Sequence, residues 1–140
     1  MRADAPTEAE VMALLGKFSN ACALRDTEDA LRLFAQDDDI LLVGSEVGKR
    51  SRGPEEIRAF FERLFSREKT YSWSWEWRSV SVAGSVAWVM AEGVERVRGG
   101  GEEAKLPYRM SAVFERRAEG WALRLVHGSE PTVTYRETSD

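Results

Sequence analysis

The residue with the clearest chemical potential in the sequence is Glu92, a carboxylate within an apolar alternating segment. The even-numbered residues of 86–94 share one face of a predicted strand, and Glu92 lies among them. The next predicted strand places Tyr108 on the same side of the sheet. A buried carboxylate without a partner is costly, or it takes up a proton. Glu92 is therefore predicted either to act as a catalytic acid or base, or to pair with Arg109 or Arg124.

A single His and a single Cys limit the other chemistry that the sequence can support. They exclude an intrachain disulfide and a four-ligand Cys/His zinc site. A Ser-His-Asp or Cys-His arrangement would have to use His127, which is the second candidate catalytic residue. Cys22 lies on the apolar stripe of a predicted helix and is interpreted as a core residue. The acidic run at 37–39 is interpreted as a solvated turn, so neither a metal site nor a cofactor is predicted.

Composition places the chain among ordinary globular domains. A length of 140 residues, or 15.8 kDa, suits one domain, and 43% hydrophobic with 31% charged residues can form a core and a solvated surface. The net charge of −4 argues against a nucleic-acid partner, which normally selects a basic surface. Residues 1–4 are not followed by a signal peptide's apolar segment, and the uncharged stretch 79–91 is too short to span a bilayer. We therefore expect a cytoplasmic protein without a membrane partner.

The first half of the sequence predicts three helices. Thr7 and Glu10 have the spacing of a capping box at the start of the first helix. Apolar residues then recur at helical spacing, and the third helix presents an aromatic face that includes Ile57 and Phe61. The three helices are expected to start at residues 6–10, 26–27 and 53–54. A short apolar strand is expected at residues 40–43, before the third helix.

The second half of the sequence alternates with the period of β-strands. Turn signals at 83–85, 99–101 and 118–120 separate four long runs, and such short connections make the runs antiparallel neighbours. Long strands in a small domain coil, and a coiled sheet encloses space. In the first run the apolar phase changes between Trp77 and Val80. A β-bulge near residues 78–79 is therefore predicted, which would bring the tryptophans and valines to one face.

The other face of the predicted sheet also carries apolar residues. Three amphipathic helices can cover only one face, so the second face needs another cover, which a second copy of the chain would supply. A homodimer is therefore expected, with His127 on the face toward the partner. The predicted interface residues are Arg109, Ser111, Val113 and Leu125.

Six segments of the sequence form a recognisable series. They are Asp39–Ser45, Gly53–Ile57, Gly84–Val89, Tyr108–Phe114, Gly120–Leu123 and His127–Ser129. The series resembles SnoaL-like domains of the nuclear transport factor 2-like (NTF2-like) superfamily, from about Thr7 to Pro131. The resemblance implies a flexible N-terminus at 1–6, one domain at 7–131 and a C-terminal tail at 132–140. It also implies a cone-shaped α+β fold, with N-terminal helices packed on a strongly curved antiparallel sheet and a pocket open at one end.

The resemblance implies sheet-to-sheet dimers as well, but it does not choose an activity, since the superfamily includes isomerases, cyclases, dehydratases and non-catalytic association domains. The arginines that line the pocket in its kinase association domains match Glu92, Ala112 and Gly128 here, so that anion site is not reproduced. One hypothesis is a pocket for a small, largely apolar ligand, aromatic or polycyclic, with acid/base catalysis by Glu92. The alternative is a non-catalytic homodimerisation or association module. The predicted pocket residues are Ile57, Phe61, Trp73, Trp75, Trp88, Met90, Tyr108 and Met110.

Overall fold

The computed structural model describes residues 1–131, and the predicted C-terminal tail at 132–140 lies outside the described residues. Residues 1–131 form three α-helices followed mainly by β-strands. The helices are α1 (Ala5–Ala23), α2 (Thr27–Arg32) and α3 (Gly53–Phe65). The strands are β1 (Leu41–Val43), β2 (Arg50–Arg52), β3 (Thr70–Ala83), β4 (Val86–Gly99), β5 (Glu102–Arg117) and β6 (Gly120–Ser129). The predicted α+β fold of N-terminal helices on a curved antiparallel sheet is confirmed.

The six strands form one sheet in the order β2-β1-β6-β5-β4-β3. Strands β3 to β6 are an antiparallel meander, as the short turn signals predict. The short β1 joins the sheet beside β6 in parallel, and β2 pairs with β1 in antiparallel orientation. The sheet curves around the helices without closing. No helix within residues 1–131 is long and apolar enough to span a membrane.

The start of α1 differs from the predicted capping box. The backbone N–H of Thr7 donates to Oδ1 of Asp4 at 2.8 Å, so Asp4 is the N-cap and the helix begins at Ala5. The first residues, which lie in the segment 1–6 expected to be flexible, pair with the free edge of β3. The N–H of Ala3 donates to the carbonyl of Val80 at 3.0 Å. This pairing covers part of an edge strand that would otherwise expose unpaired backbone groups.

The hydrophobic core lies between the helices and the concave face of the sheet. Its largest fully buried side chains come from α1, α3, β5, β6 and the segment before β1. They are Phe61, Phe114, Leu15, Ile40, Ile57 and Leu123. Burying a side chain of this size stabilises the fold by roughly 1.5–3 kcal/mol. Aromatic rings from α1 and α3 meet here, with the Phe18 and Phe61 centroids 6.0 Å apart.

The predicted β-bulge in β3 is present, but it lies closer to the start of the strand. Trp75 pairs with Gly93 and Trp77 pairs with Glu92, so Glu76 is the additional residue. The bulge therefore turns Trp77 to the convex face, where it is 52% exposed, in place of the concave face that the sequence predicts. Gly93 is required opposite the bulge, because a Cβ there would lie 2.0 Å from the carbonyl oxygen of Ser74.

The side chains of β4 lie on the opposite faces of the sheet from those predicted. Gly99 pairs with Glu102 across the β4–β5 turn, so odd-numbered residues of β4 oppose even-numbered residues of β5. Since opposed residues share a face, Gly93 and not Glu92 lies on the same side as Tyr108. The odd-numbered side chains of β4 are the buried ones, namely Ala87, Val89, Ala91, Glu95 and Val97. The even-numbered Trp88, Met90 and Glu92 lie on the convex face.

Candidate active site

A cavity of about 330 Å³ lies between the concave face of the sheet and the helices. Its inner part is lined by apolar side chains from both layers, among them Phe18, Cys22, Phe61, Met110 and Val126. Its mouth is formed by the loop Gly44–Lys49 between β1 and β2, by Arg67 after α3, and by Glu130 after β6. A cavity of this size and lining is typical of sites for small ligands.

Glu95 is the carboxylate that the fold places inside this cavity. It lies at an inward position of β4, is 4% exposed, and pairs across the sheet with Trp73. The indole Nε1 of Trp73 donates to Oε2 of Glu95 at 3.1 Å. Burial, reinforced by the negative charge of Glu130, raises the pKa of Glu95 from 4.5 to about 7. Near neutral pH this carboxyl group therefore exists in both protonation states, as a general acid or base requires.

Tyr108 supplies a hydroxyl group to the same cavity as Glu95. It is 5% exposed and packs against Trp73, with ring centroids 5.7 Å apart. Burial raises the pKa of Tyr108 well above its ordinary value, against an opposing hydrogen bond with Ser45, so the hydroxyl stays protonated at neutral pH. Its position depends on Gly128, since a Cβ at that residue would lie 2.0 Å from the Tyr108 hydroxyl oxygen.

The mouth of the cavity is held by a polar network around Arg67. Its Nη2 donates to Oε1 of Glu46 at 2.8 Å, and its Nη1 donates to the hydroxyl of Tyr71 at 3.3 Å. Arg25 in turn donates to the backbone carbonyl of Arg67 at 2.8 Å. The network joins the 44–49 loop to the end of α3. It thereby fixes one side of the mouth.

The structure brings together part of the predicted pocket. Phe61, Trp73, Tyr108 and Met110 line the cavity. Ile57 is fully buried in the core, and Trp75 packs against Tyr108 with centroids 6.4 Å apart, but neither is among the residues that line the cavity within 1–131. The prediction that Trp88 and Met90 line the pocket was wrong, since both lie on the convex face, where they are 42% and 37% exposed.

Glu92 also lies on the convex face and is not a cavity residue. Its Oε2 accepts a hydrogen bond from Nε of Arg109 at 2.7 Å, and both side chains are about half exposed, at 45% and 51%. The alternative that Glu92 pairs with Arg109 therefore describes the structure, whereas Arg124 pairs with Asp37. A solvated ion pair of this kind contributes little to stability. The prediction that Glu92 faces the pocket was wrong, because the register set by the β4–β5 turn places the even-numbered residues of β4 on the convex face.

His127 lies exposed on the same convex face, opposite Ser111 of β5. This agrees with its predicted place outside the pocket. The expected interface residues share this face, with Arg109 exposed and the other three half-buried. Those three are Ser111, Val113 and Leu125.

Sequence reasoning missed three cavity carboxylates, Glu46, Glu95 and Glu130. The inward position of Glu95 could have been predicted from the β4–β5 turn. Gly100 and Gly101 form a tight connection that pairs Gly99 with Glu102, and this register sets the face of every β4 residue. Glu130 follows the last strand, beyond the alternating pattern, and only the curvature of the sheet brings it to the mouth. Among residues 1–131, no group of three or more His, Cys, Asp or Glu side chains could hold a metal ion.

Comparisons with known proteins address the fold. The sequence profile of SnoaL-like domains matches residues 11–134. No curated protein matches the chain. Among solved structures, an NTF2-like protein from Streptomyces avermitilis with a provisional dehydratase name has a TM-score of 0.79 at 20% identity, covering 89% of this chain and 96% of its own.

Two further solved structures carry different provisional names. A protein from Novosphingobium aromaticivorans, named an aromatic ring hydroxylase, has a TM-score of 0.81 at 18% identity, covering 94% of each chain. A protein from Xanthomonas campestris, named a calcium/calmodulin-dependent kinase II association domain, has a TM-score of 0.72 at 21% identity, covering 95% of this chain and 96% of its own. Likenesses at this identity show a shared fold and leave the activity open. The chain belongs to the SnoaL-like domains.

Proposed function

We propose that the cavity binds a small, largely apolar ligand and that Glu95 exchanges a proton with it. The observation that carries this proposal is the position of Glu95, a 4% exposed carboxyl group that lines an aromatic cavity and has a pKa of about 7. Glu95 takes the role for which the sequence had indicated Glu92. The neutral hydroxyl of Tyr108 is a second donor on the same wall.

The chemistry that this arrangement supports is proton transfer without a covalent intermediate. A carboxylate with a pKa near 7 can remove a proton beside a carbonyl group, and its protonated form can return the proton at another atom. Apolar walls strengthen this chemistry, because charges in a water-poor site are screened less. The reaction class is therefore an isomerisation, a cyclisation or a dehydration of an aromatic or polycyclic substrate.

The test uses two matched variants, Glu95→Gln and Glu92→Gln, which remove the same charge from the cavity and from the convex face. A panel of aromatic ketones and lactones is titrated by calorimetry, and exchange of the protons beside the carbonyl of 2-tetralone is followed by NMR in deuterated water. We expect the wild type and Glu92→Gln to catalyse exchange, and Glu95→Gln to lose it. Equal exchange in the two variants would refute a role for Glu95, and absence of binding across the panel would refute the ligand class.

The second candidate function is self-association through the convex face, as in an association module. The observation that favours it is the cluster of large apolar side chains there, with Trp77 at 52%, Trp88 at 42% and Met90 at 37% exposed. Monomeric proteins rarely leave such a patch uncovered. We propose a homodimer in which a second copy covers this face at the residues expected from the sequence.

Sedimentation of Trp88→Glu tests this association, and Val47→Glu is the control because Val47 is fully exposed on the 44–49 loop. The wild type and the control should sediment as dimers, whereas Trp88→Glu should sediment as a monomer. A monomeric wild type at high micromolar concentration would contradict the proposal.

A further inference from the structure

Three carboxylates line the cavity, and two of them, Glu95 and Glu130, have no cationic partner in the described part of the chain, whereas Glu46 pairs with Arg67. Glu95 accepts a hydrogen bond from Trp73 and is in hydrogen-bond contact with Glu130, and Ser45 Oγ donates to Glu130 Oε1 at 3.4 Å. The two carboxyl groups are close enough that the charge of Glu130 acts on Glu95 directly. Within residues 1–131 neither forms an ion pair with Lys or Arg, whereas many surface carboxylates of this domain do. A pair of carboxyl groups that lacks a cationic partner at an apolar cavity favours a positive charge beside it.

The two basic side chains at the mouth are Arg67 and Lys49. The guanidinium of Arg67 donates hydrogen bonds to Glu46 and Tyr71. Lys49 lies on the 44–49 loop and contributes to the rim of the cavity. Within residues 1–131, neither Lys49 nor Arg67 forms an ion pair with Glu95 or Glu130, so a ligand can bring the cation.

The aromatic walls suit the same charge. The rings of Trp73 and Tyr108 lie beside Glu95, with centroids 5.7 Å apart, and Trp73 also packs against Phe18 at 5.7 Å. The electron-rich faces of such rings attract ammonium groups within about 6 Å of the centroid. A carboxylate or phosphate ligand would meet repulsion from Glu95 and Glu130 in the same place.

We propose that the ligand of this cavity is an apolar, ring-containing primary or secondary amine, whose ammonium group binds Glu95 and Glu130 while its ring body contacts the aromatic walls. The inference rests on the proposed function, because it specifies the ligand class of the same cavity. Each carboxylate accepts a charge-assisted hydrogen bond from the ammonium, and these are the stronger hydrogen bonds of proteins.

Proton release accompanies this binding. Half of the Glu95 carboxyl groups are protonated near pH 7, and an ammonium neighbour favours the ionised form, so the proton leaves to solvent as the amine binds. The affinity for the amine should therefore rise with pH, by about tenfold between pH 6 and pH 8, as the ionised fraction grows. The other titratable and charged groups facing this site are Glu46, Lys49, Arg67, Tyr71, Tyr108 and Cys22.

The experiment compares three probes that share one ring system, namely 2-naphthylmethylamine, 2-naphthylmethanol and 2-naphthoic acid. Binding is measured by calorimetry at pH 6, 7 and 8 in phosphate, and at pH 7 also in MOPS, so that the different heats of buffer ionisation report the protons released. We expect the amine to bind about tenfold more tightly than the alcohol at pH 8. We also expect it to release roughly half a proton at pH 7.

Three variants locate the effect in the cavity. Glu95→Gln should remove the preference for the amine and its pH dependence, and Glu130→Gln should reduce the preference while leaving the exposed surface otherwise intact. Glu92→Gln removes a carboxylate from the convex face and should bind all three probes like the wild type. If Glu95→Gln did not fold, the pH dependence of the wild type and the result for Glu130→Gln would decide the proposal.

The outcomes distinguish a failure of the amine proposal from a failure of the proposed function. An alcohol that binds as tightly as the amine, or an amine whose affinity falls as pH rises, would overturn the amine proposal and leave a ligand-binding cavity standing. A preference for the acid would do the same. Failure of all three probes to bind would overturn both.

Discussion

The buried carboxyl group of Glu95 makes the stability of this domain depend on pH in a direction opposite to that of most acidic residues. Its pKa in the folded protein is raised from 4.5 to about 7, so the folded state holds the proton more tightly than the unfolded chain does. Below about pH 4.5 the residue is protonated in both states and exerts no penalty. Between about pH 4.5 and pH 7 the unfolded chain loses this proton while the folded protein keeps it, so the free energy of unfolding decreases, and above pH 7 the full penalty of the buried charge remains.

The size of this effect follows from the shift. One pKa unit corresponds to about 1.4 kcal/mol, so the full shift of Glu95 corresponds to at most about 3 kcal/mol of lost stability at high pH. The carboxyl group faces a cavity that opens to solvent, and solvent screening reduces the penalty. We therefore expect Glu95→Gln to gain about 1–3 kcal/mol relative to the wild type between pH 5 and pH 8.5.

Guanidinium unfolding at several pH values measures this difference. Gln has the shape of Glu and can still accept the hydrogen bond from Trp73, so packing changes little. Glu92→Gln is the control, because Glu92 forms only a solvated pair with Arg109 and its removal should change stability by less than about 1 kcal/mol at any pH. Parallel pH profiles for the wild type and Glu95→Gln would refute the claim that this carboxyl group is buried and destabilised when ionised.

Three further predictions concern the geometry around the cavity. Gly93→Ala places a methyl group 2.0 Å from the carbonyl oxygen of Ser74, so urea unfolding should show a loss of about 3 kcal/mol or more, and a loss under about 1 kcal/mol would contradict the bulge geometry. Gly128→Ala forces the Tyr108 ring from its place, so calorimetry should show weaker binding of 2-naphthylmethylamine in a variant that still folds. Cys22 is 2% exposed and burial raises the pKa of its thiol, so iodoacetamide should label it slowly in the native protein and rapidly in guanidinium. Rapid labelling of the native protein would contradict this burial.

The features that could be predicted from the sequence are those set by local periodicity and by turn residues. The aromatic face of α3 and the inward face of β5 follow from spacing alone, and they place Phe61, Tyr108 and Met110 at the cavity. Gly53 and Pro54 mark the start of α3 for similarly local reasons. These signals need no knowledge of which strands are neighbours.

The features that could not be predicted depend on register across the sheet. Whether Glu92 or Glu95 faces inward is decided by the pairing of Gly99 with Glu102, since a shift of one residue exchanges the two faces of the whole strand. The large apolar side chains of Trp88 and Met90 suggested the wrong face because hydrophobicity alone does not distinguish a core from a convex surface. Glu130 lies outside any strand, and its approach to Glu95 depends on curvature that no local pattern contains.

The bulge at Glu76 also has a spectroscopic consequence. It separates Trp73 and Trp75 on the concave face from Trp77, which lies with Trp88 on the convex face, while Trp121 is buried on β6. A molecule that enters the cavity should change the emission of Trp73 and leave the acrylamide quenching of the convex-face pair unchanged. Association through the convex face should protect that pair from the quencher and leave the emission of Trp73 unchanged. One domain without any added label thus reports separately on its inner and outer surfaces.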